Sequence, residues 1–143
     1  MLFRSPPASM EIFNAPSREV CTIRRERTDT PLQALVTLND VQFVEAARRF
    51  AENILKQGGS TDEQRLQWAA CRLLSREFRT EELPVLIESL GQLTRFYKDH
   101  AAEATELIKT GDSQPDVGLD VTTLAAWTML CNEMMNLDEV LNK

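Results

Sequence analysis

The stretch Thr122-Thr123-Leu124-Ala125-Ala126-Trp127-Thr128-Met129-Leu130-Cys131-Asn132-Glu133-Met134-Met135 decides the fold. Capped at Thr122 or Thr123, it reads as a helix in which Leu124, Ala125, Trp127, Leu130, Cys131, Met134 and Met135 leave almost no polar face. A helix apolar nearly all round takes the centre of a bundle or packs against a partner.

Working back along the chain, each preceding segment has one apolar stripe and a recognisable end. Thr30-Pro31 pairs an N-cap with proline at the first helical position, which predicts a short helix from Pro31 to about Leu38. Asn39-Asp40 interrupts it, and Asp40 is placed to cap a second helix with Val44, Ala47, Ala51 and Ile54 on one stripe, ending at Gly58-Gly59. Ser60-Thr61-Asp62-Glu63 has the capping-box spacing and precedes Leu66, Ala69, Ala70, Leu73 and Leu74, a third helix expected to end near Phe78. Thr80 with Glu81 and Glu82 starts a fourth, and Leu83, Leu86, Ile87, Leu90, Leu93 and Tyr97 recur at steps of three and four. Asp99 is the expected cap of a fifth helix, with Ala101, Ala104, Leu107 and Ile108 inward and Gly111 as its stop. Ser113, Pro115 and Gly118 mark the loop before the final helix.

Residues 1–29 differ. They carry Pro6, Pro7 and Pro16 without a helical repeat, so they read as an extended arm in which Val20-Cys21-Thr22-Ile23-Arg24 has the composition of a short strand. The expected architecture is an all-α, irregular bundle of about five or six helices over 30–143, as a single domain, with this arm in front.

At 143 residues, with 43% apolar and 27% charged, the chain suits one globular domain and lies far from the disordered corner. Its net charge of -6 argues against nucleic acid and anionic membranes as partners. Neither a spanning helix nor a signal peptide is legible, so no membrane insertion is expected. The acidity is concentrated: residues 99–143 hold nine acidic and two basic groups. Cys21, Cys71 and Cys131 are too widely spaced for a disulfide framework; Cys71 and Cys131 are read as core residues. His100, the single histidine, is read as a surface residue, and no metal site is expected.

Two groups of residues carry what chemistry the sequence offers. Arg18, Arg24, Arg25 and Arg27 cluster before the Thr30 helix start and are candidates for holding an anion or polysaccharide, their alternative being pairing with Glu19, Glu26 and other acids. Asn39, Asp40, Asn136, Asp138 and Glu139 form polar motifs at helix boundaries, where carboxylates can serve acid–base or cation-holding roles but where capping and helix termination explain them without a ligand. Met129, Met134 and Met135 suit gap-filling in a buried helix better than soft-metal ligation. No phosphate loop, nucleophile elbow or Ser/His/Asp set is present.

Phe13-Asn14-Ala15-Pro16-Ser17-Arg18-Glu19-Val20-Cys21-Thr22, then Arg24-Arg25-Glu26-Arg27-Thr28 and Thr30-Pro31-Leu32-Gln33-Ala34-Leu35, closely resembles the C-terminal half of the planctomycete secreted domain one, also called the cytochrome-C-associated domain. The resemblance runs on through Leu38-Asn39-Asp40 and Gln42-Phe43-Val44-Glu45-Ala46-Ala47-Arg48 to Ala125-Ala126-Trp127-Thr128 and Asn136-Leu137-Asp138-Glu139. Asn14, Asp29 and Val41 depart from the family's usual Asp, Asn and Pro. The resemblance implies a fragment of a larger secreted or periplasmic protein of unknown function, with haem c in an upstream module and no cofactor in this chain. It implies the upstream domains as partners, with self-association through exposed apolar surface as a further expectation. The leading expectation is a non-catalytic interaction module. The alternatives are a share in a composite hydrolase or redox site using Arg18, Arg24, Asn39 and Asp40, and ligand binding by the arginine arm.

Overall fold

In the computed structural model, residues 12–14, 21, 23 and 30–141 are described. Seven helices occur among them: α1 (Pro31–Asn39), α2 (Val41–Gln57), α3 (Asp62–Leu73), α4 (Glu82–Asp99), α5 (Ala101–Ile108), α6 (Val121–Met135) and the short α7 (Asp138–Leu141). No strand is found among the described residues, and the fold is an all-α irregular bundle. Of the Val20–Arg24 segment expected to be strand-like, only Cys21 and Ile23 are described, and both are exposed and non-strand; the rest lies outside the described residues.

α6 is the axis. It packs most extensively on α2, then on α4 and α5, and buries Leu124, Ala125, Ala126, Trp127, Thr128, Leu130, Cys131, Asn132 and Met134. Its inward polar groups are satisfied: the Thr128 hydroxyl donates to the Leu124 carbonyl at 2.7 Å, and Asn132 Nδ2 donates to the Leu38 carbonyl at 3.0 Å. α2 contributes Val44, Ala47, Ala51 and Ile54, the stripe expected from spacing. α3 adds Leu66, Ala69 and Ala70, and Leu90, Tyr97, Ala104 and Ile108 close the core from α4 and α5. Met129 and Met135 pack partly buried against this cluster, as gap-fillers do.

Local signals place the helix ends with some displacement. Thr30 caps α1 with a full capping box to Gln33, and Asp40 Oδ1 accepts from the Gln42 N–H at 2.9 Å to start α2. The box of α3, however, is Thr61 with Gln64, one residue beyond the expected Ser60–Glu63 pair. Both spacings overlap in the sequence, and the Gln64 amide oxygen prevails by accepting from the Ser60 and Thr61 N–H groups together. α3 stops at Leu73 rather than near Phe78, because Ser75 takes a left-handed φ of 60°. Phe78 folds back into the core, its backbone held by Gln67 through Phe78 N–H to Oε1 (2.8 Å) and Nε2 to Phe78 O (3.2 Å).

Three further caps are corrected. Thr80 does not cap α4; Glu82 takes the Arg79 N–H at 2.8 Å instead, while the Glu82 N–H donates to Arg79 O. Asp99 does not cap α5 but ends α4, and the break falls at His100, whose exposed ring stacks on Phe96 with centroids 4.3 Å apart. Asp120, not Thr122 or Thr123, caps α6: its Oδ2 accepts from the Thr123 N–H and from both threonine hydroxyls at 2.7–2.8 Å. Cys71 is exposed, contrary to the core reading, because the inward face of α3 is taken by Leu66, Ala69 and Ala70. Cys131 is fully buried, and burial pushes its thiol up.

Buried Leu130 and exposed Cys71 therefore make opposite references for mutation. Leu130→Ala is expected to cost about 2–5 kcal/mol in denaturant unfolding, whereas Cys71→Ser stays within about 0.5 kcal/mol of the parent.

Candidate functional site

The densest polar assembly lies between α2 and the α5–α6 loop. Arg48 sits beside the α2 apolar stripe and is 0% exposed; its Nη1 donates to Glu52 Oε1 at 2.9 Å. Its Nη2 donates to the Ser113 carbonyl at 2.8 Å and the Ser113 hydroxyl at 2.7 Å. Glu52, 4% exposed, also takes Arg49 Nη1 at 2.9 Å and the Asp116 N–H at 3.3 Å. Glu45 accepts from the Asp112 and Ser113 N–H groups at 3.0 and 2.9 Å and from the Ser113 hydroxyl, and these bonds hold its carboxyl below the usual range. Lys56 pairs with Asp116 at the outer edge and lowers its carboxyl as well. Gly111, at φ +100°, brings the loop so close that a Cβ there would strike the Glu45 carboxylate. Arg48 Nε is left without a hydrogen-bond partner, but the other bonds make this assembly a clamp that ties the approach to α6 onto α2.

A second polar seam joins the C-terminal ends of α1 and α6. Thr37 Oγ1 donates to Asn136 Oδ1 at 2.6 Å, beside the Asn132–Leu38 bond. Asn136 is thus a bridge between helices as well as the C-cap of α6. Asn39 and Asp40 point elsewhere: Asn39 Nδ2 donates to Leu35 O at 2.8 Å, and Asp40 serves the α2 cap. They line a shallow cleft of about 340 Å³ with Ile12, Leu35 and Val36. The five polar motif residues are therefore divided among helix ends and do not converge on one reacting centre.

Asp138 and Glu139 open α7 beside a larger groove of about 660 Å³, lined with Phe78, Val85, Leu86 and Leu137 and rimmed by Arg76, Glu81, Glu82, Asp138 and Glu139. Arg76 is the clip across it. Its Nη1 and Nη2 donate to Glu82 at 2.9 and 3.1 Å, and its Nε and Nη2 to Glu139 at 3.0 and 2.7 Å. These bonds hold the Glu82 carboxyl down at about 2 and lower that of Glu139. Sequence reading singled out Glu139 but missed Arg76 and Glu82, which are far apart along the chain from it. Arg48 was missed too, although its position next to Ala47 and Ala51 with an acid four residues on is a legible signal for a buried pair.

Arg18, Arg24, Arg25 and Arg27 lie outside the described residues. Among the described residues, no group of three or more His, Cys, Asp or Glu side chains has the arrangement of a metal site. No helix among them is long and apolar enough to cross a membrane.

Removing one member of the buried ion pair strands the other, so Arg48→Ala is expected to cost about 3–5 kcal/mol, with Arg48→Met combined with Glu52→Leu recovering most of it in chemical denaturation. The lowered carboxyls set the acid response. A carboxyl whose folded value lies below its unfolded one stabilises the fold above the unfolded value and loses that effect as the pH falls through the folded one. For Glu82 that window runs from 4.5 down to about 2. Thermal midpoints are expected to be level above about pH 5 and to fall below it, and Glu82→Gln to shallow the fall between those limits.

No curated protein and no solved structure matches the chain. Residues 3–90 match the model of the PSD1 family, described as a protein of unknown function (DUF1553). The match takes in the arm, the Thr30-Pro31 helix start and the helices through Leu90, and the chain belongs to this family.

Proposed function

We propose that the chain is a non-catalytic helical interaction module of a larger extracytoplasmic, cytochrome-c-associated protein, and that α1 is its docking face. The observation that carries this reading is the inverted polarity of α1. The residues it buries are Gln33 and Thr37, 2% and 3% exposed, while Leu32 and Leu35 are 54% and 56% exposed. Val41, at the start of α2, is 53% exposed. A helix with a free choice of orientation buries leucine and solvates glutamine, the difference being about 1.5–3 kcal/mol for each large apolar side chain. Here the seam to Asn136 and the bond from Gln33 Nε2 to the Ile12 carbonyl hold the polar stripe inward. The leucines are thereby presented outward as one patch, with the Asn39–Asp40 cleft beside them.

Upstream domains of the same polypeptide are the proposed cover, as the resemblance to the cytochrome-C-associated domain implies. Asn39 and Asp40, spent on local bonds, favour docking over a composite catalytic site.

Amide hydrogen exchange compares this chain alone with the full-length gene product, each with and without Leu35→Asp. The α1 amides are expected to gain about tenfold or more in protection in the full-length product, and Leu35→Asp to abolish that gain. Equal α1 protection in both proteins overturns the reading. So does concentration-dependent dimerisation of the chain that Leu35→Asp removes, which assigns the face to a second copy.

A further inference from the structure

The Arg76 groove is separate from the α1 face, and its chemistry is different. Its floor and walls are apolar: Phe78 is 6% exposed, Leu86 is half-buried, and Val85 and Leu137 stand 66% and 41% exposed to solvent. At about 660 Å³ it lies within the range of natural ligand pockets, and it is elongated along one side of α4 by Glu82, Val85 and Leu86 at helical spacing. The rim carries four carboxylates, Glu81, Glu82, Asp138 and Glu139, against the guanidinium of Arg76, with the charge of Arg79 also felt by Glu82 and Glu139, so the acids remain in excess. Because Arg76 hydrogen-bonds Glu82 and Glu139 directly, neither acid sheds its charge near neutral pH. The surface is thus an apolar trough inside a ring of net negative charge, joining Glu81 and Glu82 at the start of α4 to Asp138 and Glu139 of α7.

We propose that this groove binds a cationic amphipathic peptide segment of a partner protein, with Leu- or Phe-like anchors on Val85, Leu86 and Leu137 and Lys or Arg side chains drawn to the acidic rim at Glu81. Apolar floor and acidic rim together select this occupant. An anionic lipid surface or a nucleic acid is repelled by the rim, and a small hydrophilic cation leaves the apolar floor wet. The short α7 supplies one wall and is joined to the α3–α4 turn by the Arg76–Glu139 bonds, so the groove keeps its shape without an occupant.

The test uses the full chain and a Leu/Lys amphipathic peptide of about five helical turns, with its Leu/Glu counterpart as comparison. Fluorescence anisotropy gives the affinity, and amide chemical shifts map the site. The Lys peptide is expected to bind with shifts centred on Phe78, Val85 and Leu137, and the Glu peptide not to bind. Val85→Ser weakens the complex about tenfold and Glu81→Gln about two- to fivefold. Glu106→Gln on α5 makes the same charge change away from the groove and leaves the affinity unaltered; all three positions are exposed, so the fold is retained. No binding at millimolar peptide, equal binding of the Glu peptide, or equal effects of Glu81→Gln and Glu106→Gln overturns the proposal.

Discussion

Everything in this fold depends on the complete burial of α6. A fifteen-residue helix with nine buried side chains has to be surrounded, and the surrounding helices differ in how they do it. α2 brings Ala47 and Ala51, both fully buried, and packs more extensively on α6 than any other helix does. α4 and α5 bring Leu90, Tyr97, Ala104 and Ile108 from other sides. Because Thr128 and Asn132 lie on the buried side of α6, away from the exposed Glu133, they are satisfied from within, by Leu124 O and by the end of α1. The position of α1 is therefore a consequence of burying α6.

The α5–α6 loop has to deliver the chain to that central position, and a buried ion pair directs it. Arg48 reaches across from α2 to the backbone and side chain of Ser113, with Glu52 and Glu45 completing the charges and backbone bonds. A buried pair of this kind adds little net stability compared with apolar packing, but it specifies which loop conformation is satisfied. Gly111 and the Asp120 cap act at the two ends of the same loop, one by allowing close approach to Glu45 and the other by starting α6.

With the core complete, two surfaces are left with apolar groups outward. On α1 the polar seam to Asn136 reverses the expected orientation of a short helix. Beside α7 the ring of acids encloses an apolar trough. The first surface belongs to the stretch matched by the PSD1 model, and the second spans the matched α3–α4 region and the unmatched α7.

The helices and their apolar stripes were legible in the sequence, because periodicity, caps and glycine stops are local signals, whereas the choice between a central α6 and one packed against a partner was left to the packing. The identities of several caps were not, since overlapping signals such as Ser60–Glu63 and Thr61–Gln64, or Asp120 with Thr122 and Thr123, are separated only by geometry. Phe78 looked like a helix terminus, yet Gln67 draws it into the core after the turn at Ser75. Cys71 sat among apolar neighbours in sequence and still faces water. Asn136 and Glu139 stood out as polar residues at a helix end, but their partners Thr37 and Arg76 are 99 and 63 residues away. Local pattern thus determined what forms and which face is apolar. Tertiary structure alone decided which polar residues meet, because a buried donor or charge must find a partner wherever the packing places one, at any distance along the chain.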